Sequence, residues 1–379
     1  MLVSVSAGSR GKVRQVRTLR PPAAATVLCV GLAFCGFLTA CGSPGPAPAP
    51  PGQVAASTTE VSFDVDGTTT YGTLQVPAHR TGQHLAAALL LAGSGPTDRN
   101  GNQLPDHTPN TLKQIAEALA RQGIISLRFD KYFAGKTGAG RFASDPGSSD
   151  LNAFLQQADD AYKLLYQQPA TDRQRLLVVG HSEGGMYAIV VAETVSPHPA
   201  GLALVEPQDE RLLDLLTLQI NESLDTRVTQ GAITADTARR NAQLVRQAVA
   251  AFRAGQPVEL SGLLPDITSL LNSVIVSPEN ARYTRAADMI DVPAYAAKLP
   301  TGTRVLVTVG TADTNVPPST IRPLVDALTG AGTTGPGLQT LTGLDHDLNT
   351  AGTPANGAPV DPAFLTALRD WAKPYAPTP

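Results

Sequence analysis

The stretch that most constrains this chain is the run LLVVGHSEGGM at residues 176–186. Its leucines and valines favour a buried strand, and the alanines and branched apolar residues that follow Met186 favour a buried helix. Between them, residues 180–184 have the pattern G-x-S-x-G. A strand that turns directly into a helix leaves no room for a Cβ at either glycine, and the tight turn exposes the serine hydroxyl. The sequence therefore predicts that Ser182 is a nucleophile on a strand-turn-helix.

Two later loops carry the partners that a nucleophilic serine needs. The β-branched run 304–309 predicts a strand that leads into Asp313, and residues 338–341 predict a short last strand that leads into His346. This order resembles the α/β-hydrolase superfamily, in which the acid follows a late strand and the histidine follows the last one. The resemblance implies that Asp313 is the triad acid and His346 the base. No other histidine lies beyond Asp313 in the chain.

The acid position has one alternative. Glu206 ends the strand predicted at 201–205, and some α/β-hydrolases take the acid from that strand. A structural role is the default interpretation of Glu206.

The loop at 92–102 follows a buried run at 85–91 and contains S-G-P-T-D-R-N-G-N. It is similar to a loop of bacterial serine esterases related to serine aminopeptidase-like hydrolases, and in such proteins it donates one oxyanion-hole N–H. By position the donor is the N–H of Ser94, with Gly95 as the alternative, and its partner is the N–H of Glu183. A solvated turn would have the same Gly, Pro, Asp and Asn content.

Other polar residues near these motifs are assigned structural roles. The strand predicted at 124–129 ends in Asp130-Lys131, which resembles an Asp-Lys turn that borders the site in the same family. We expect both charges to form structural ion pairs. His181 is expected to pack inside the tight turn at 180–184 that carries Ser182, which we call the elbow, and His107 is expected to be a surface histidine.

About a hundred residues separate Glu206 from the strand at 304, far more than a simple crossover needs, and they show helical signals without a good strand. We predict a helical cap at 207–303 between two parts of a hydrolase core, 58–206 and 304–379. The fold class is therefore α/β, an α/β-hydrolase fold with a mostly parallel central sheet, helices on both faces and a helical cap insertion. A dimerisation arm would show the same helical pattern.

The N-terminus predicts export. Residues 1–40 carry five basic residues, no acid, and a short apolar run at 23–38 typical of a signal peptide. The run ends in Leu-Thr-Ala before Cys41, which resembles a bacterial lipobox and implies lipidation of Cys41. The Pro, Gly and Ala-rich segment 41–57 predicts an extended tether. An uncleaved anchor and a simple secretory signal are the alternatives. Both also place the rest of the chain, which we call the body, outside the cytoplasm.

Charge and composition exclude several classes. Without the five basic residues of the predicted signal peptide, the chain has 24 basic and 32 acidic residues, an acidic balance that disfavours a nucleic-acid partner. No metal-ligand cluster and no dinucleotide motif occurs, so no cofactor is implied. We predict a carboxylic ester hydrolase with a small acyl ester substrate, lipid-anchored outside the cytoplasmic membrane. A serine aminopeptidase-like peptidase and a non-catalytic ligand-binding lipoprotein are the alternatives.

Overall fold

The computed structural model describes residues 52–378, whose ten strands form an eight-stranded sheet and a separate two-stranded sheet. The strands are β1 (Gln53–Val54), β2 (Ser57–Val65), β3 (Thr68–Val76), β4 (His79–Arg80), β5 (Leu85–Leu91), β6 (Ile125–Phe129), β7 (Thr171–His181), β8 (Gly201–Val205), β9 (Arg304–Gly310) and β10 (Thr334–Leu341). The sheet order is β10-β9-β8-β7-β5-β6-β3-β2. Strands from β10 to β6 run parallel, and the β2-β3 hairpin joins β6 in antiparallel fashion. The predicted mostly parallel sheet is confirmed.

Helices cover both faces of this sheet. They are α1 (Thr111–Arg121), α2 (Leu151–Tyr166), α3 (Glu183–Thr194), α4 (Leu212–Thr229), α5 (Ala235–Arg253), α6 (Pro265–Leu271), α7 (Pro278–Ala287), α8 (Val292–Ala296), α9 (Arg322–Gly330) and α10 (Pro362–Ala372). Short 3-10 segments occur at Gly140–Phe142, Pro146–Ser148 and Lys373–Tyr375, and a π-helical turn at Asn272–Val276.

The central strand β5 shows how the sequence specifies two cores. All seven of its residues are buried, because helices cover both of its faces. Successive side chains of a strand point to opposite faces, so Leu89 joins one core with α2, α3 and α9, while Leu90 joins the other with α1 and α10. A strand in the middle of this sheet therefore needs apolar residues at every position, and not an alternation of apolar and polar residues.

The insertion between β8 and β9 consists of the helices α4 to α8. α4, α5 and α6 share a hydrophobic core of their own, whereas Val292 and Ala296 of α8 pack into the main core. Buried Asp288 links these parts, since it accepts hydrogen bonds from the N–H of Leu213 at 3.0 Å and from the Arg253 guanidinium at 2.8 and 2.9 Å. The insertion is thus a small helical layer joined to the sheet through its last helices.

The predicted signal peptide, 1–40, and the predicted lipidation residue Cys41 lie outside the described residues. The predicted tether, 41–57, is described only from residue 52, where β1 pairs with β4 and where Ser57 already begins β2. Among the described helices, none is long and apolar enough to cross a membrane.

The helical spacing of apolar residues predicts a helix at 111–122 with Asn110 as its N-cap and Gly123 as its stop, and α1 begins at the predicted residue. Asn110 occupies the N-cap position, but its side chain caps no N–H group and its backbone is left-handed, with φ of 56°. Asn110 Oδ1 instead accepts a hydrogen bond from Asn102 Nδ2 at 3.2 Å. The predicted cap position is therefore confirmed, but the side chain does not cap the helix, because it binds the loop after β5 instead. The predicted stop at Gly123 is confirmed by its φ of 75°.

Candidate active site

Ser182 lies in the turn between β7 and α3, with φ of 59° and ψ of −127°, a conformation that non-glycine residues rarely adopt. The two glycines make this turn possible. A Cβ on Gly180 would lie 2.0 Å from the carbonyl oxygen of Gly184, and one on Gly184 would lie 2.2 Å from that of Leu91. Both distances are far shorter than real Cβ contacts. Only glycine can therefore occupy positions 180 and 184 while Ser182 keeps this strained conformation.

Asp313 and His346 meet at the ends of β9 and β10. Asp313 is buried, and its Oδ2 lies 2.7 Å from His346 Nδ1. Its Oδ1 accepts hydrogen bonds from the N–H groups of Asn315 and Val316 at 2.7 and 2.9 Å. The carboxylate is therefore held in one orientation, and its bond to Nδ1 requires a proton there, which leaves Nε2 of His346 as the basic nitrogen.

The electrostatics of this pair favour the charged imidazole. Burial on its own lowers the pKa of His346, but the negative charge of Asp313 and the hydrogen bond to it outweigh burial and raise that pKa to about 9. His346 therefore binds a proton more tightly than an ordinary histidine does, and it can act as a general base only in its neutral form.

Glu206 has different partners. Its carboxylate accepts hydrogen bonds from the N–H of Gly310 at 2.6 Å and from the hydroxyl of Thr308 at 3.2 Å. Burial, reinforced by the charge of Asp313, raises the pKa of Glu206. These contacts join the end of β8 to the end of β9 and correspond to the structural interpretation of Glu206.

The loop after β5 packs directly against the serine. A Cβ on Gly93 would lie 3.0 Å from Ser182 Cβ and 3.4 Å from Ser182 Oγ. Within the described residues, neither the N–H of Ser94 nor that of Glu183 donates a hydrogen bond. Two unused donors thus flank the serine, although the N–H of Gly95 is equally unused and keeps the alternative to Ser94 open.

His181 connects the loop that carries His346 to the elbow. Its Nε2 donates a hydrogen bond to the carbonyl oxygen of His346 at 2.8 Å, and the two rings lie 4.9 Å apart. Burial and the nearby His346 lower the pKa of His181 to about 4, so its ring is neutral. The expected packing role of His181 therefore includes a specific contact with the loop that carries His346.

A cavity of about 220 Å³ opens beside Ser94 and Glu183. Its walls combine core and insertion residues, and its apolar members include Phe133 and Phe154 from the core and Leu212, Leu216 and Val274 from the insertion. Tyr283 of α7 also lines it, in edge contact with Phe154 at 5.2 Å between ring centroids. The insertion therefore forms part of a mostly apolar pocket next to the two unused N–H groups.

No family model and no curated protein matches this chain. Solved structures do match. Est1E from Butyrivibrio proteoclasticus with ferulic acid bound aligns with a TM-score of 0.51 at 16% identity, covering 83% of this chain and 98% of that one. The Pyrococcus furiosus esterase PF2001 aligns with a TM-score of 0.51 at 14% identity, covering 84% and 91%. The α/β hydrolase GrgF from Penicillium sp. sh18 aligns with a TM-score of 0.50 at 16% identity, covering 84% and 99%.

The chain has the α/β-hydrolase fold. The predicted fold class is confirmed, and the fold explains why residues far apart in sequence lie together. In a parallel sheet, the loops at the carboxyl ends of the strands share one edge, where ligands bind. The loops after β5, β7, β8, β9 and β10 hold, in that order, Ser94, Ser182, Glu206, Asp313 and His346. The catalytic roles of these residues stay predictions.

The same edge of the sheet also contains a buried polar network that was not predicted from the sequence. Lys131, two residues after the end of β6, donates a hydrogen bond to the carbonyl oxygen of Gly93 and lies 3.7 Å from Glu183 Oε2. Glu183 Oε1 accepts a hydrogen bond from the Tyr283 hydroxyl at 2.6 Å. Asp130 and Lys131 both form the ion pairs that we expected, but with two different partners. Asp130 pairs with Arg99, whereas Lys131 faces Glu183. The sequence feature that could have indicated this network is a charged residue just after a fully buried strand.

Proposed function

We propose that this protein is a serine-dependent carboxylic ester hydrolase that works through an acyl-enzyme. The observation that carries the proposal is the 2.7 Å contact between His346 Nδ1 and buried Asp313. The loop that carries His346 is hydrogen-bonded to His181, the residue before Ser182. An orienting carboxylate, a base and a serine in a tight turn at one edge of the sheet form the arrangement that nucleophilic acyl transfer requires.

In the proposed acylation step, Ser182 Oγ bonds to the ester carbonyl carbon while its proton passes to His346 Nε2. The carbonyl π electrons move to oxygen, and the unused N–H groups at Ser94 and Glu183 stabilise that oxyanion. Collapse of the tetrahedral intermediate breaks the bond to the alkoxy oxygen, which takes the proton from His346. The alcohol then leaves.

Deacylation repeats this chemistry with water as the nucleophile. His346 accepts a proton from water as the new C–O bond forms, and it returns that proton to Ser182 Oγ when the acyl bond breaks. Asp313 stays ionised and stabilises the imidazolium in both steps.

The cavity beside Ser94 and Glu183 predicts a small acyl group. Sites for drug-sized ligands are typically about 300–1,000 Å³, whereas this cavity is about 220 Å³. With p-nitrophenyl esters of rising chain length, we expect kcat/KM to peak at short or medium chains and to fall for long ones. Absence of hydrolysis of every ester would contradict the proposed function, and a maximum at long chains would contradict the assignment of the cavity.

One observation favours a peptidase as the second candidate. Glu279 of α7 lines the same cavity, and within the described residues its carboxylate has no hydrogen bond or ion pair. A free carboxylate there would suit the α-ammonium group of an aminoacyl substrate. Release of an arylamine from aminoacyl arylamides, lost in Glu279→Gln while small neutral esters are still cleaved, would decide for this candidate.

The pH dependence follows from His346. A general base must be neutral, and its pKa is about 9 because Asp313 outweighs the effect of burial. We therefore expect kcat/KM to rise with pH and to level off only near that value, and Asp313→Asn to move the residual rise to lower pH. Initial rates with a short ester, corrected for spontaneous hydrolysis, measure this. A wild-type plateau that begins near the ordinary histidine value of 6.5 would contradict the coupling.

We further propose that the body is anchored outside the cytoplasmic membrane by lipid on Cys41. The support is the sequence alone: a basic start, a short apolar run, and Leu-Thr-Ala before the cysteine. Each buried methylene of a lipid chain contributes about 0.8 kcal/mol to membrane binding. Cys41→Ser should therefore move the protein from the detergent phase to the aqueous phase, or leave it unprocessed. A Cys41→Ser protein that has lost residues 1–40 and still partitions into detergent would rule out this anchor.

A further inference from the structure

The buried network around Lys131 connects the two unused N–H groups beside Ser182. Lys131 Nζ donates to the carbonyl oxygen of Gly93, and that carbonyl belongs to the same peptide as the N–H of Ser94. The Gly93–Ser94 peptide is trans, because the cis bonds of the described chain occur only before Pro105 and Pro197. In a trans peptide the C=O and N–H groups point in opposite directions. Holding the carbonyl therefore fixes the direction of the N–H.

The same lysine faces the second donor residue. Lys131 Nζ lies 3.7 Å from the carboxylate of Glu183, whose backbone N–H is the other unused donor. Both side chains are buried, with exposed fractions of 6% and 4%. The hydroxyl of Tyr283 donates to the other carboxylate oxygen at 2.6 Å, and Tyr187 and Tyr283 share a hydrogen bond of 2.5 Å. These polar contacts join the loop after β5, the turn that carries Ser182 and α7.

We propose that Lys131 is a positioning residue for the oxyanion hole, which it holds by binding the Gly93 carbonyl and thereby aiming the N–H of Ser94 at the reacting oxygen. The inference rests on the proposed ester hydrolase function. Glycine at position 93 fits this role, since its backbone packs against Ser182 Cβ and Oγ and any rotation of the following peptide would redirect the donor beside the nucleophile. Lys131 itself touches no reacting atom in this account.

A purely structural role for Lys131 makes a different prediction. If the lysine only neutralises Glu183, then removing both charges together should restore the enzyme, because a buried charge without its partner is the main penalty. If Lys131 holds the Gly93 carbonyl, the double variant should remain impaired, since methionine at 183 removes the charge and supplies no donor to that carbonyl. Lys131→Met and Lys131→Met with Glu183→Met therefore separate the two roles.

The experiment measures kcat and KM on one short p-nitrophenyl ester for wild type, Lys131→Met and the double variant. Removal of one oxyanion-hole donor typically costs about 10²–10³ in kcat, so we expect kcat to fall by about 100-fold in both variants, with KM nearly unchanged. Lys136→Met is the matched control, because that lysine follows the same strand but lies half exposed against Glu60 at the surface. Circular dichroism and thermal unfolding confirm that each variant is folded.

Inhibition by an aryl trifluoromethyl ketone provides a readout that altered folding would not mimic. Ser182 Oγ adds to its carbonyl carbon, the proton passes to His346, and the oxygen becomes an oxyanion that needs the hole. We expect Ki to rise by the same factor as kcat/KM falls. Normal kcat in the double variant, or an unchanged Ki, would overturn the positioning role alone. Absence of any ester hydrolysis or ketone inhibition in wild type would overturn both this inference and the proposed function.

Discussion

Ser182→Ala and His346→Ala are each expected to lower kcat on a short ester by on the order of 10⁵ to 10⁶, and the double variant is expected to lose no more. The reason is that nucleophile and base share one proton transfer. A serine without its base and a base without its serine both leave only binding and the oxyanion hole. Steady-state kinetics of the three variants, with circular dichroism to verify folding, measure this non-additivity.

Two surface variants provide matched controls for these substitutions. Ser57 and His84 are exposed and lie away from the carboxyl edge of the sheet, so Ser57→Ala and His84→Ala should retain wild-type rates. If the losses of Ser182→Ala and His346→Ala multiply in the double variant, the two residues act independently. That outcome would contradict the proposed triad.

Asp313→Asn is expected to reduce kcat by about 10⁴, the loss recorded when the acid of a well-studied serine triad is replaced by its amide. The carboxylate holds the proton of His346 on Nδ1, whereas an amide NH₂ group favours the opposite tautomer and cannot stabilise the imidazolium. Glu206→Gln should cost far less, because a glutamine oxygen can still accept the hydrogen bond from the N–H of Gly310.

Kinetics of the two acid variants, measured at equal folding, discriminate between the candidate acids. A crippled Glu206→Gln beside a nearly normal Asp313→Asn would show that the acid is Glu206. The 2.7 Å contact of His346 with Asp313, and the hydrogen bonds that hold Glu206 to β9, are the reasons to expect the opposite.

Local sequence patterns predicted the fold because they report local geometry. The apolar run at β5 and the β-branched runs at β7 and β9 correspond to strands buried on both faces, and glycine spacing around Ser182 corresponds to a turn with no space for a Cβ. The relation between Ser182, Asp313 and His346 came from the resemblance, since spacing along the chain does not encode which strands are neighbours.

Long-range polar contacts were not predictable from the sequence. Lys131 and Gly93 are 38 residues apart, and Tyr283 and Glu183 are 100 apart, so no periodicity links them. Helical patterns predicted helices between β8 and β9, but the docking of α7 on the elbow depends on side chains that meet only in the folded state. Asn110 failed as a cap for the same reason, because its partner Asn102 lies in a loop whose path the pattern does not specify.

The most direct measurement of the central claim is the mass of the peptide that contains Ser182 after reaction with a fluorophosphonate. Activated serine hydrolases form a covalent adduct at the nucleophile, and a ligand-binding lipoprotein without a working base does not. We predict one adduct per chain, on Ser182, formed in parallel with the loss of ester hydrolysis and absent from Ser182→Ala and His346→Ala. Ester hydrolysis that survives without an adduct on Ser182, or an adduct at another serine that abolishes activity, would contradict the assignment of Ser182 as the nucleophile.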